Sequence, residues 1–464
     1  MDSLFPSKTQ VDEAIASLAD AGRSYSDAPD LAGHASRVEI ITRAKKLIRD
    51  LVSPDMMPNY HGLNHRLEVA DESITLPPAA RGHLQIAELV AIRTFIKLRV
   101  FDAIPRPGAI SLRDLSRATG VQESLLGAWH LLPIAATKRH VACWMVALTS
   151  VRIERMSRVL VASGFLDQTQ PDGGDYLHTK FSQAYLLDEP GPGHLFLAMY
   201  DEWFKPMHNF DDYLAEKCQL QNAKEPDDPL FNPYTFYRKQ EGTPVWTIMS
   251  QDLERFQTFQ TGMAGIDLAI PVVGHFDFDS LRNSPAEVAS RRIQLVDVGG
   301  GHGAVLKRIL DLHKDSLDPN TCILQDRTEV IALSRANNIL PGEVERQEHD
   351  FMAEQPVKGA KAYFMRMILH DYADCVGIKI LSQLAGAMAL DSRVLICEMV
   401  LPSRVGEADF PAAVLDQAVM TMGGKERTEK GFSNMLEAAG LELVRVWRAP
   451  GVPGGCVEGR LRRQ

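Results

Sequence analysis

The sequence predicts an α/β protein, with a parallel, doubly wound sheet in its C-terminal part behind a largely helical N-terminal part. Three observations carry this. From Arg292 onward, apolar β-rich runs alternate with helix-sized stretches. Ahead of that point, apolar residues recur mostly at helical spacing. A glycine-rich turn, LVDVGGGHG (295–303), stands where the first β run gives way to a helix. The chain has 464 residues, 45% apolar and 24% charged, which excludes disordered, collagenous and fibrous classes. A formal charge of −10 argues against nucleic acid or anionic lipid as a partner held by the overall field. The densest apolar run, 141–148, is far short of the roughly 20 residues of a membrane helix. The N-terminus lacks a basic-then-apolar signal, and the six cysteines are scattered without a CxxC pair. A cytoplasmic location without disulfides, zinc knuckle, membrane or nucleic-acid partner is therefore expected.

Residues 1–80 read as a helical extension. Within it, VEIITRAKKLIRDLV (38–52) sets Ile40, Ile41, Ala44, Leu47, Ile48 and Leu51 on one stripe. Residues 81–185 form a second unit. HLQIAELVAIRTFIKLRVFDAIP (83–105) predicts a long helix stopped by Asp102 and Pro105. Ser111 caps a short helix with Asp114 three positions on, an approximate capping box. A further helix starts near Gln122, and GFL (164–166) opens a strand that pairs with GDYLHTK (174–180). Three helices and then a two-stranded wing is the order of a winged helix.

One segment interrupts that order. Without residues 127–150, Leu126, Ile153, Met156, Val159 and Leu160 fall at offsets 0, 3, 6, 9 and 10, a core-facing helical pattern. With these 24 residues present, the third helix is broken near its start. The expectation is a retained intron or another gene-model error translated in frame; a genuine surface loop is the alternative.

Residues 186–290 are an aromatic-rich helical linker, with HLFLAMYDEWF and DLERFQTFQTGMAG as helical patterns around the proline-marked AKEPDDPLFNP. These two helices are expected to line a pocket for a flat aromatic acceptor. Residues 291–464 carry the sheet. Its runs are IQLVDV (293–298), TCILQD (321–326), KAYFMRMIL (361–369) and RVLICEMV (393–400), with LELVRVWRA and CVEGRL as two late strands.

The glycine turn places Asp297, Gly299, Gly301 and Gly303 at a strand-to-helix junction, where the backbone can approach a ligand and helix N–H groups face it. Gly299, Gly301 and Ala304 also satisfy the dinucleotide fingerprint, so an NAD-dependent oxidoreductase stays open at this point. Asp326 ends the second strand, where a carboxylate can accept from both ribose hydroxyls. Asp350 and Phe351 follow the third βα unit, where one acid can hold an adenine amino group and one ring can stack on the base. Together they favour a ligand with one adenosine. In MRMILHDYADC (365–375), His370 lies past a buried-looking strand with Asp371 beside it. Its unperturbed pKa of about 6.5 suits a general base. Glu398 ends RVLICE, and Glu426 sits in GGKERTEKGF; a carboxylate beside an imidazole fixes its tautomer and stabilises the imidazolium. The only i, i+4 histidine pair, His61 and His65, lacks the glutamate of HExxH, and no metal site is expected.

In this order and spacing LVDVGGGHG, LQDRTEV, HDF, MRMILHDY, ICEMVLP and GGKERTEKGF resemble the S-adenosylmethionine-dependent O-methyltransferases of the caffeate and flavonoid type, in their fungal secondary-metabolite branch. The resemblance runs from about His83 and from about Asp252 to the C-terminus, and is absent over 127–150. It implies a class I methyltransferase sheet behind a winged-helix dimerisation domain, a domain-swapped homodimer, and metal-independent methyl transfer to a hydroxyl, usually phenolic, of a small aromatic metabolite. It further implies that Asp297, Gly299, Gly301, Asp326, Asp350 and Phe351 hold S-adenosyl-L-methionine, with Arg366 where the family usually has lysine. His370 would be the base, flanked by Glu398 and Glu426. The competing non-enzymatic reading is a winged-helix regulator, for which Arg152, Arg155 and Arg158 on the third helix are the support.

Overall fold

The computed structural model describes residues 6–26, 31–51, 78–121, 155–170, 173–188, 191–217, 223–264, 276–406, 409–448 and 454–462. The chain forms two compact units, Met1–Leu197 and Ala198–Gln464. Residues 127–150, Leu126, Ile153 and the His61/His65 pair lie outside the described residues, as does Arg152.

In the first unit, helices Lys8–Arg23 and Leu31–Leu51 pack together. Ser7 and Gln10 cap the first reciprocally, and Arg43 bridges the pair through the Ser17 carbonyl at 2.7 Å. The next helix spans Pro78–Lys97 and stops five residues before Asp102. Arg99 adopts a left-handed φ of 56°, and the N–H groups of Arg99 and Val100 return to the carbonyls of Ile96 and Phe95. This closure normally uses glycine, so no breaker in the sequence announced it. Ser111 does cap Leu112–Thr119: its Oγ accepts the Asp114 N–H and donates to the Asp114 carboxylate, half of a capping box. Strands β1 (Ala109–Ile110), β2 (Leu166–Gln170) and β3 (Gly173–His178) form an antiparallel sheet in the order β1-β3-β2. Helix Arg155–Ala162 buries Ser157 and Leu160, with Arg158 exposed. The core is a run of rings, Phe95, Phe101, Phe165, Tyr185 and Phe196, with successive centroids 4.9–5.5 Å apart.

The second unit is built on strands β4 (Leu295–Val298), β5 (Cys322–Asp326), β6 (Glu345–Glu348), β7 (Ala362–Arg366), β8 (Arg393–Leu401), β9 (Arg427–Thr428), β10 (Leu441–Arg448) and β11 (Gly454–Leu461). Their order is β10-β11-β8-β7-β4-β5-β6, with β9 on the end of β8. Strands β8, β7, β4, β5 and β6 run parallel, and β10 and β11 add an antiparallel edge. The chain winds outward from β4 through β5 to β6, then returns to β7 on the other side of β4. Open α/β sheets bind ligands at such a switch point. Both faces are buried, one under Leu306, Ile309 and Leu310, the other under Ile380, Leu381 and Phe432.

Three details depart from the sequence reading. Strand β6 reads ERQE, an edge strand without an apolar residue for periodicity to find. The run 361–369 is strand only to Arg366: Met367 takes φ 53°, and Leu369–Asp371 is a 3₁₀ turn. Glu398 does not end its strand, because β9 pairs with the tip of β8 (Val400↔Arg427, Leu401↔Thr428) and carries it on to Leu401. Among the described residues, no helix is long and apolar enough to cross a membrane, and no group of three or more His, Cys, Asp or Glu could hold a metal ion.

Candidate active site

At the end of β4, the N–H groups of Gly299 and Gly300 donate to the Gln325 carbonyl, bending the chain into helix Ala304–Leu312. Gly299 has φ 73°, and a Cβ there would sit 2.7 Å from Ile368 Cδ1, so the loop before His370 rests on the turn. Gly301 has φ 61°, yet a Cβ would meet nothing nearer than Gln260 Oε1 at 3.9 Å. The space over Gly301 is open, as a ligand approaching the backbone requires.

Asp297 is 1% exposed, with its carboxylate packed beneath Gly300 and one oxygen, Oδ2, without a hydrogen-bond partner. Burial and the neighbouring Asp326 push its pKa up to about 7, opposed by Arg366 at the end of β7. Asp326 accepts the Gly301 N–H on Oδ2 and the Arg327 N–H on Oδ1, each at 2.8 Å. Burial raises its pKa to about 6 despite both bonds. Each oxygen keeps a further lone pair for a ligand hydroxyl. Asp350 is exposed, and its Oδ1 accepts the Met352 N–H at 2.9 Å. The Phe351 ring is edge-on to Tyr372, with centroids 6.0 Å apart. The Tyr372 hydroxyl accepts from Trp246 Nε1 at 3.3 Å, and Trp246 and Trp203 both pack against Phe259. An aromatic wall thus runs from Phe351 to Trp203.

His370 is 4% exposed on the 3₁₀ turn. Its Nδ1 is 2.7 Å from Glu426 Oε1, and its Nε2 is 3.5 Å from Asp371 Oδ1. Burial opposes a charge on the ring, but Asp371, Glu426 and Glu398 outweigh it and lift the pKa to about 10. Asp371 is itself pushed up to about 7, by burial first. Glu398 is fully buried and raised by burial, but it does not hold the ring. Its Oε1 accepts three consecutive N–H groups, of Ile368, Leu369 and His370, at 3.1, 2.5 and 3.2 Å. It therefore shapes the loop that carries the imidazole.

Two residues at this site had no signal of their own. Arg427, inside the charge cluster KERTEK, is 2% exposed; its guanidinium donates to the carbonyls of Leu369 and Tyr372 and to Asp374, gripping both sides of His370. Gln260, inside a helical repeat of glutamine and threonine, reaches over Gly301. The donor set fits a sulfonium nucleoside: an open glycine turn, a half-buried carboxylate with spare lone pairs, and an aromatic ring beside an exposed acid.

A family model described as an O-methyltransferase domain matches residues 214–442. Methyltransferase cfoD of Aspergillus candidus is 32% identical over 387 residues, covering 82% of this chain and 86% of its own length. O-methyltransferase hmp5 of Hypomyces subiculosus is 35% identical over 320 residues, covering 67% and 75%. The crystal structure of OxaC in complex with SAH and oxaline matches with a TM-score of 0.67 at 26% identity, over 98% of this chain and 100% of that one. The dinucleotide and regulator readings find no support among these relatives. With the glycine turn of β4 facing the histidine loop of β7, and with relatives of this similarity along most of its length, the chain belongs to the family of S-adenosylmethionine-dependent O-methyltransferases.

Proposed function

We propose that the chain moves a methyl group from S-adenosylmethionine to a hydroxyl, phenolic in character, of a small aromatic secondary metabolite, with His370 as general base. The observation that carries this is the 2.7 Å pairing of His370 with Glu426 on a loop whose Ile368 rests on the glycine turn. Gly299, Gly301, Asp326, Asp350 and Phe351 would hold the nucleoside, with Asp297 under the turn and Arg366 beside it. Bound there, the sulfonium supplies an electrophilic methyl group.

The side chains supply the rest. Glu426 accepts the Nδ1 proton, which leaves Nε2 as the nitrogen that takes the acceptor's proton. A phenol of pKa near 10 is ionised in only about one molecule in a thousand at neutral pH, so the base matters. With its pKa raised to about 10 the imidazole is largely protonated at neutral pH, so the fraction carrying a free base, and the rate with it, rises as pH climbs toward that value. Glu398 and Arg427 hold the loop, and the wall from Phe351 to Trp203 excludes water. The neighbour OxaC, solved with SAH and oxaline together, supports an organic acceptor bound beside the cofactor. In this reading residues 81–185 serve as the winged-helix dimerisation domain of a cytoplasmic homodimer.

The test is His370→Gln. Titration with S-adenosylhomocysteine is expected to give the wild-type Kd, while kcat falls at least 100-fold, the lower range for loss of a general base. An unchanged kcat would remove His370 from the mechanism.

A further inference from the structure

Helix Leu253–Ala264 is held by charges that the reaction does not use. Arg255 pairs through Nε with Glu202 Oε1 at 2.9 Å and donates to the Ile248 carbonyl at 3.0 Å. Glu202 is fully buried in the π-helix Met199–Phe204, and it also accepts from the Tyr234 hydroxyl at 2.5 Å and from Arg238 at 3.0 Å. One turn further along the same helix, Phe259 is wedged between Trp203 and Trp246. The next residue, Gln260, brings its Oε1 to 3.9 Å from the position a Cβ would take on Gly301, whose N–H goes to Asp326. Gln260 and Asp326 thus converge on one glycine from two elements.

Their chemistries are complementary. A carboxylate only accepts, whereas each ribose hydroxyl also has an oxygen that needs a donor; a primary amide offers two N–H donors and an acceptor. We propose that Gln260 is a cofactor-binding residue that engages the same ribose hydroxyls as Asp326, with its helix fixed by the Glu202–Arg255 pair. This rests on the reading of the cleft as the S-adenosylmethionine site.

The test is calorimetric titration of S-adenosylhomocysteine and of 5′-methylthioadenosine, which keeps the ribose and lacks the amino-acid arm. Gln260→Ala is expected to weaken both ligands at least threefold, the loss of one net hydrogen bond. Gln260→Glu keeps the shape, removes the donors and adds charge near Asp326, and is expected to weaken both at least as much. Thermal midpoints near wild type establish that either variant is folded. A change below threefold for both ligands overturns the proposal, as does a loss confined to S-adenosylhomocysteine or wild-type affinity in Gln260→Glu. Wild-type protein that binds neither ligand would instead sink the cofactor reading itself, a separate result.

Discussion

Replacing Glu426 with glutamine tests what sets the proton affinity of His370. The amide keeps an acceptor for the Nδ1 proton but removes a negative charge 2.7 Å away. An opposite charge at this range is worth about 1–3 pKa units, or about 1.4–4 kcal/mol. From about 10 in the wild type, the ring is expected to fall to between about 7 and 9. On the proposed mechanism the base works unprotonated, so kcat/KM for the acceptor should climb with pH through the pKa of the free enzyme, and the variant's limb should lie about 1–3 units lower. The variant then loses less at neutral pH than at pH 10, where its weaker base dominates. Histidine Cε1–H resonances, with His370→Gln for assignment, read the ring directly. Stability follows with a fixed sign: a folded pKa above the unfolded 6.5 contributes stability that is complete below pH 6.5 and lost as pH rises through about 10. The variant should lose it over a lower window. Wild-type His370 titrating near 6.5, or an unmoved limb in Glu426→Gln, would refute the reasoning.

Two further perturbations separate cradle from scaffold. Gly301→Ala places a methyl group in the open space of the turn at φ 61°, so S-adenosylhomocysteine affinity measured by calorimetry should fall at least tenfold while the thermal midpoint drops by the equivalent of about 1–2 kcal/mol. Glu202→Ala leaves the half-buried Arg238 and Arg255 without their shared carboxylate and with backbone carbonyls as acceptors, which should cost about 1–3 kcal/mol in urea unfolding, against well under 1 kcal/mol for the exposed Lys8–Asp12 pair removed as a control.

The sheet was legible because strands buried on both faces carry long apolar runs, and because glycines announce a turn that any side chain would disturb. What escaped was short or polar: β1 and β9 span two residues each, and β6 is an edge strand of charged and amide side chains. The residues of the site were visible as types at strand ends, but their division of labour was not. Glu398 and Glu426 look alike in sequence; only the path of the loop decides that one accepts three backbone N–H groups and the other an imidazole proton. Arg427 read as one charge among KERTEK, since no periodicity distinguishes a solvated arginine from one whose guanidinium fills a backbone gap.

That division of labour follows from strand register. In β8, Glu398 stands opposite Gly455 of β11, and two residues on, Val400 pairs with Arg427 of β9. The pairing sets Arg427, and Glu426 before it, beside the loop that leaves β7, while Glu398 reaches that loop from within the sheet. A slip of one residue in β8 would turn Glu398 to the opposite face and leave the three N–H groups at 368–370 without their acceptor. The β9 pairing is only two residues long, so its register needs other support. Gly424 supplies part of it: any Cβ there would collide with the His370 carbonyl and the Asp371 backbone, and the next residue, Lys425, donates its N–H to that same carbonyl at 2.9 Å. The imidazole, its orienting carboxylate and the arginine that clamps the loop are thus fixed by one backbone junction, which is why charges so costly to bury can all be held at this point of the fold.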